Sequence, residues 1–299
     1  MQIFDINNTS LGKLVSLPEK YDASLLFRIP RAENREHYNI NASHLPFVGY
    51  DVWNCYEMSF LTNNGLPVSR VMKLVYSCES EFLVESKSLK LYLNAFNMDS
   101  FGKNIASAEK RVIEIITNDL TKLLKTDVKV ILFNTESAAE QAFSKFKKNE
   151  LSNMIPVDVQ ESIVFSHFNE SPGLLKSQLT NEEHNYKFRS DMLRSNCRVT
   201  NQPDWGDLFV EISTHHLIDL SSIMEYLVSF RKENHFHEEV VEMIYKRFSD
   251  AFEPKNLMVA AMYTRRGGID INPIRASHLE LMDTALISSS CRVEKTLRQ

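Results

Sequence analysis

The chain has 299 residues, 43% of them hydrophobic and 24% charged, with a net charge of −5 and no Lys/Arg block. This is the balance of a soluble globular protein with one large core or two small ones, and it argues against a large nucleic-acid footprint. No run of 18 apolar residues occurs, and the opening MQIFDINNTSLGK has no basic region leading into an apolar stretch. Neither a membrane span nor a secretory signal is expected.

Taken in chain order, residues 1–25 read as a loosely held leader. Residues 52–61 and 68–76 read as strands on either side of the turn residues Asn63-Asn64-Gly65, which predicts a β-hairpin. Leu89, Tyr92, Leu93 and Phe96 then fall at helical spacing, as do Ile113, Ile116, Leu120 and Leu124, and residues 128–133 (VKVILF) read as a strand. The stretch 141–190 is polar, contains KFKKNE, and is taken as a connection. Beyond it, Leu208, Val210 and Ile212 alternate like a half-buried strand. Ile223, Tyr226, Leu227 and Phe230 repeat the first helical stripe; Val241, Ile244, Phe248 and Phe252 repeat the second. Residues 257–263 (LMVAAMY) close the series as a strand.

The pattern is therefore strands, two helices and strands, given twice. It predicts an α+β fold in which an antiparallel sheet carries helices on one face. The boundaries expected are 1–140 for the first module, 141–190 for the connection and 191–299 for the second module.

Eight glycines build neither GxGxxG nor GxxxxGK[ST], so the usual phosphate cradles are absent. Cysteines at 55, 78, 197 and 291 have no metal-ligand spacing and are too sparse for a disulfide scaffold, which makes a reducing cytoplasm the expected location. Four stretches could carry chemistry. In SNCRVTNQPDWG, Arg194 and Arg198 flank Cys197 with positive charge that favours thiolate, and Asp204 follows in a turn-like setting beside Trp205. The pair could act as nucleophile and proton donor, and equally as a small buried side chain and a turn former. In NHFHEE, His235 and His237 have no third ligand at a familiar spacing, so no metal is assigned. His237 with Glu238 could open a helix as a binding pair or as a solvated start, with Glu239 as the alternative acid. ESKS at 85–88 has Ser86 or Ser88 as N-cap candidates, backbone N–H groups for a phosphate, and Lys87 for charge. Arg265-Arg266-Gly267-Gly268 suits an anionic ligand or a plain turn.

Together, ESKSLKLYLNAF (85–96), SNCRVTNQPDWG (195–206), SFRKENHFHEE (229–239) and YTRRGGIDINP (263–273) resemble one family. It is that of the NADPH-dependent 7-cyano-7-deazaguanine reductases, the nitrile reductases of queuosine tRNA-modification biosynthesis. The resemblance is to the long form, with the ESKS motif and the cysteine in different halves. It implies two tandem T-fold (tunnelling-fold) modules, each an antiparallel sheet with two helices on one face. It also implies NADPH as cofactor and 7-cyano-7-deazaguanine as substrate, reduced to 7-aminomethyl-7-deazaguanine by two hydrides through a covalent Cys197 thioimide, with Asp204 as proton donor. Val84, Glu85, Ser86, His237 and Glu238 would bind substrate, and Ser86, Lys87, Arg266 and Gly267 the cofactor. A cytoplasmic homodimer acting on a free base, with no nucleic-acid or membrane contact, is the corresponding expectation. Donation by Asp204 near pH 7 would require burial, for instance beside Trp205, to raise its pKa.

Overall fold

A computed structural model of the chain describes residues 20–134, 154–157, 162–282 and 299. The elements run β1 (Arg28–Pro30), α1 (Ala32–His37), β2 (Val48–Leu61), β3 (Pro67–Ser77), β4 (Phe82–Val84), α2 (Ser86–Asn94), α3 (Ile105–Leu124), β5 (Val128–Asn134) and β6 (Ile155–Pro156). They continue with β7 (Ser177–Cys197), β8 (Pro203–Ile218), α4 (Leu220–Val228), β9 (Asn234–His235), α5 (His237–Phe252), β10 (Asn256–Tyr263) and β11 (Ile269–Ala276).

The alternating runs meet in a nine-stranded sheet ordered β5-β3-β2-β11-β10-β8-β7-β6, with β9 paired to β7. Its long neighbours are antiparallel; only the two-residue strands β6 and β9 join β7 in parallel. The seam between the halves is β2 against β11, from Ile269↔Cys55 to Ala276↔Val48. At that seam a side chain on Gly49 would meet the Ile274 carbonyl 2.1 Å away, so the close approach requires glycine.

Pleating sorts each strand between two faces. Leu208, Val210 and Ile212 of β8 and Leu257, Val259 and Ala261 of β10 pack with α4 and α5. Phe209, Met258, Ala260 and Met262 point the other way, to a smaller cluster with Met154, Ile274 and Met282. In the first half, Trp53, Cys55, Met72 and Leu74 meet Leu89, Tyr92, Val112, Ile116 and Leu120 of α2 and α3. Both helix pairs thus cover one face of a continuous sheet. Each Val, Leu, Ile, Phe or Met side chain among them contributes roughly 1.5–3 kcal/mol on full burial.

The repeat read from the helical stripes recurs in detail that hydrophobicity does not encode. Glu85 accepts from the backbone N–H of Lys87 and Ser88 at the start of α2, and Asp219 accepts from that of Ser221 at the start of α4. Ser88 Oγ accepts from Phe27 N, and Ser222 Oγ accepts from Lys176 N. Each of those incoming segments follows a 3-10 turn, Ala23–Leu25 or Pro172–Leu174.

Two expectations are corrected. The connection assigned to 141–190 is strand from Ser177 onward, paired with β8 from Ser177↔Ile218 to Asn196↔Pro203. This part of β7 reads as loop because its side chains are polar and mostly exposed, forming a ribbon held by backbone pairing rather than by a core. The leader is also shorter than 25 residues. Tyr21 donates its hydroxyl to Asp119 and packs edge-on against Tyr92 and Phe96, while residues 1–19 lie outside those described. Cys55 and Cys78 are free and buried, and burial pushes both thiols up, Cys78 to about 11; Cys291 lies outside the described residues.

Candidate active site

A cleft of about 360 Å³ opens on the helix-bearing face where the halves meet. Trp53, Ile269 and Ile271 from the seam strands form its apolar floor. The first half supplies Val84, Glu85, Ser86, Lys87 and Lys90; the second supplies Cys197, Asp204, His235, His237, Glu238, Arg266 and Gly267. All ten residues assigned from the sequence line this one space.

Cys197 and Asp204 are brought together by a hairpin. Ser195 lies opposite Asp204 and Asn196 opposite Pro203 in the β7–β8 register, and Cys197 N donates to Gln202 O at 2.8 Å. Cys197 is two residues beyond Ser195, so it shares a face with Asp204 as its diagonal neighbour. Asn201, at φ 54, takes the left-handed position that tightens the loop. The parallel pairing Cys197↔His235 then ties this hairpin to the segment leading into α5.

The cation beside the thiol is not the one expected. Arg194 donates to the Arg231 carbonyl at 2.6 Å, and Arg198 pairs with Glu239 at 3.0 Å and Glu33 at 3.7 Å. Both arginines are engaged elsewhere, Arg194 by a backbone carbonyl and Arg198 by two acids, and the strand position of Arg194 alternates in face with that of Cys197. Arg266 instead is the arginine that interacts electrostatically with the Cys197 thiol. It is presented by a two-residue turn. Arg266 N donates to Ile269 O and Ile269 N to Arg266 O, and Gly267 and Gly268 both have positive φ, at 59° and 78°. Such a turn favours glycine at both centres, and a side chain on Gly268 would strike Glu57.

Asp204 is 3% exposed at its side chain, yet its pKa is lowered rather than raised. Burial alone would raise it. The hydrogen bond and charge of His237, whose Nε2 lies 3.4 Å away, and the ion pair with Arg266 Nη1 outweigh that burial. Trp205 is not the desolvating wall: it is the next residue on the strand, outside the cleft lining, with Arg231 stacked 4.8 Å from its ring. His237 is held flat against Tyr263, centroids 3.8 Å apart and planes within 5°. Tyr263 fits because its strand partner is Gly206, where a Cβ would already lie 3.1 Å from the ring.

The two histidines of NHFHEE are thereby told apart. His235 lies between Glu233 at 3.3 Å and Glu239 at 3.5 Å. Burial lowers its pKa, but the hydrogen bonds to Glu233 and Glu239 prevail and push it up to about 9. Glu239 is occupied as a helix start, accepting from Phe236 N at 2.9 Å as well as pairing with Arg198. Glu238 is the acid left for a ligand. It is 3% exposed, and its Oε1 has no hydrogen-bond partner among the described residues. Burial, then the Asp51 carboxylate, push its pKa up, against the pull of Arg31 and Arg275. Beneath it, Arg275 bridges Asp51 at 2.9 Å and Glu242 at 2.8 Å, Arg35 pairs with Glu242 at 2.7 Å, and Arg31 pairs with Asp51. Three buried guanidiniums face two carboxylates, so an ionised Glu238 would complete the charge balance. Among the described residues no group of three or more His, Cys, Asp or Glu side chains could hold a metal ion.

His235 gives a direct test of this packing. Its pKa is raised from the ordinary 6.5 to about 9, so its stabilisation is complete below about 6.5 and is lost as pH rises through about 9. His235→Gln should therefore lower unfolding stability at pH 6 by roughly 2 kcal/mol, with little difference left above about pH 10. Urea unfolding across pH measures this; a pH-independent difference would remove the ion-pair account.

The start of α2 also differs from expectation. Neither Ser86 nor Ser88 is the cap: Glu85 is, and its carboxylate takes the N–H groups of Lys87 and Ser88. Those two donors are no longer open to a phosphate. What remains for an anion is side-chain charge at the cleft mouth, Lys87, Arg266 and Lys90. Lys90 was missed in the sequence although it lies four residues, one helical turn, beyond Ser86. Its Nζ donates to Gly267 O at 2.7 Å and so links α2 to the turn of the other half.

Two family models match the chain in order: "Nitrile reductase, 7-cyano-7-deazaguanine-reductase N-term" over residues 17–132 and "QueF-like protein" over residues 203–281. A protein of Colwellia psychrerythraea named NADPH-dependent 7-cyano-7-deazaguanine reductase is 39% identical over 279 residues, covering 92% of this chain and 94% of its own length. The chain belongs to this family. Proteins of the same name from a Polaromonas species and from Desulfotalea psychrophila are each 37% identical, over 91% and 90% of this chain and 94% and 93% of their own lengths. Among solved structures, an archaeosine synthase QueF-Like in the apo form aligns over 33% of this chain and 98% of its own, at 16% identity and a TM-score of 0.29. That match is too slight to bear on the fold. The matched family segments contain every cleft residue assigned from the sequence except Cys197, which lies just before the second.

Proposed function

We propose that this chain reduces the nitrile of 7-cyano-7-deazaguanine to the aminomethyl group with NADPH, through a covalent thioimide on Cys197. The observation that carries the reading is the convergence of a thiol, a charge-paired carboxylate and a buried, unpartnered carboxylate on one cleft between the halves. Family membership supplies the substrate class. A guanine-like edge offers adjacent N–H donors, and Glu238 is a recessed acceptor for them, stronger when ionised. Binding would draw Glu238 toward its carboxylate form.

Asp204 starts ionised, which suits thiol addition. The S–H proton passes to Asp204, the sulfur bonds to the nitrile carbon, and one C–N π bond opens. The nitrogen then takes the proton back from Asp204, leaving the thioimide with no proton drawn from solvent. The two later reductions draw two protons from solvent to match the two hydrides, Asp204 and His237 are placed to pass them in, and expulsion of Cys197 frees the imine for its second reduction. Trp53, Ile269 and Ile271 keep this floor dry. Tyr263 fixes the plane of His237 throughout.

NADPH, when bound, supplies the two hydrides. The residues present fit a dinucleotide phosphate: Lys87, Lys90 and Arg266 gather positive charge at the mouth, and Gly267 leaves the room that a side chain would take against Lys90. Ser86 stands at the first turn of α2 among them. The repeated capping and helix pairs support a tandem of two T-fold modules, and we take the protein as a cytoplasmic homodimer of the queuosine pathway acting on the free base. No helix among the described residues is long and apolar enough to cross a membrane.

The test mixes protein, 7-cyano-7-deazaguanine and NADPH. Two NADPH oxidised per nitrile, and a mass increase of one substrate on Cys197 when cofactor is withheld, are expected. Adduct without NADPH oxidation would overturn the reductase assignment, and absence of both signals would overturn the substrate as well.

A further inference from the structure

Arg266 is assigned to the cofactor, yet its guanidinium is also engaged with the proposed proton carrier. Nη1 pairs with Asp204 Oδ1, Nη2 donates to Gln202 Oε1 at 2.7 Å and lies 3.4 Å from Thr200 Oγ1, and the guanidinium interacts electrostatically with the Cys197 thiol. Gln202 and Thr200 belong to the hairpin loop that separates the thiol from the acid. One side chain thus spans nucleophile, proton carrier and the loop between them. The arginines adjacent in sequence, Arg194 and Arg198, are bound elsewhere.

We propose that Arg266 is a positioning residue for thiol addition: before any cofactor arrives it holds Cys197 and Asp204 at a common cation and fixes the loop joining them. The proposal rests on the nitrile-reductase reading for its second arm only. Groups facing Asp204 are Arg266 from the β10–β11 turn, His237 from α5, Cys197 from β7 and Tyr263 from β10, with Glu238 beyond Tyr263. Removing Arg266 leaves His237 as the partner that keeps Asp204 ionised.

The experiment compares wild type, R266Q and R266K, each first confirmed as folded by thermal denaturation. In the first arm iodoacetamide alkylates Cys197 without substrate or cofactor, followed by intact mass at pH 7. R266Q is expected to react roughly tenfold more slowly, because Arg266 no longer holds the loop through Gln202 or fixes Asp204, the carboxylate that takes the thiol proton. R266K should recover part of the loss, since a lysine restores charge without the fork that spans two partners. In the second arm, adduct formation with 7-cyano-7-deazaguanine is followed across pH without NADPH, and its acid limb should move to higher pH in R266Q.

Equal alkylation rates and an unmoved limb, with only the KM for NADPH raised, would overturn the proposal and leave Arg266 as a cofactor contact. If wild type forms no adduct, the nitrile reading fails while the alkylation arm still decides the role of Arg266. Should R266Q not fold, R266K against wild type decides: slower alkylation supports the proposal, and equal alkylation overturns it.

Discussion

Cys197→Ala is expected to eliminate both the covalent adduct and NADPH-dependent turnover, a loss of the order of 10⁴-fold or more. The magnitude follows from the absence of a substitute among the described cysteines. Cys55 and Cys78 are buried in the sheet cores, and burial drives both thiols away from ionisation. The variant should fold. Cys197 is only partly buried, and its hairpin contacts, the N–H to Gln202 O and the carbonyl to Asn201 N, are backbone bonds that alanine keeps. Intact mass with substrate alone, and nicotinamide absorbance with both substrates, read the two losses separately. Residual nitrile reduction by the variant would rule out the covalent route.

Asp204→Asn separates addition from reduction. The amide keeps the shape of the side chain but removes the charge that Arg266 and His237 share, and it neither accepts the thiol proton nor delivers one. Turnover should fall by roughly 10²–10⁴-fold, the usual worth of a positioned acid–base group. Adduct formation should be slowed but detectable, because a thiolate can still attack and the nitrogen can be protonated by water. The pH dependence supplies a second reading. Asp204 has its pKa lowered, so wild-type addition should hold through neutral pH and weaken only as pH falls through that depressed value. The asparagine variant should lack this acid limb. Full reduction rate in Asp204→Asn would remove Asp204 from the mechanism.

Much of the helix layer could be read before any coordinates. Tyr92 and Tyr226 carry the same stripe at the same place in their helices, and both are fully buried under the expected strand runs. Apolar periodicity reports burial directly, and these helices are amphipathic enough for it to be unambiguous. Strands with other means of support were not visible. The first part of β7 is polar because it is a paired ribbon without a core. β11 carries Asp270, Asn272 and Pro273 within a buried strand, where Asp270 accepts from Asn54 Nδ2 and Asn272 Nδ2 at 2.7 Å. Asp270 is also satisfied by Tyr56, which like Asn54 lies more than 200 residues away, and sequence around the strand does not reveal such partners.

The site divides in the same way. Which residues meet could be named from the sequence: the family resemblance carried by four motifs named ten side chains that now line one cleft, four of them within SNCRVTNQPDWG and NHFHEE. What each of them does there was decided by tertiary structure. Arg194 and Arg198 are the nearest cations to Cys197 along the chain, but the one that interacts with its thiol is Arg266, delivered by a glycine turn from two strands away. Asp204 was expected to be raised by burial, and is lowered because His237 and Arg266 converge on it from other elements. Glu238 and Glu239 are adjacent acids of identical chemistry. Phe236 N and Arg198 occupy Glu239, while Glu238 is buried above the arginine cluster with its Oε1 unpartnered among the described residues. Electrostatic energies depend on distance in space and on burial, and neither is a function of separation along the chain. A sequence can therefore name the charged groups of a site, while only the fold sets their state.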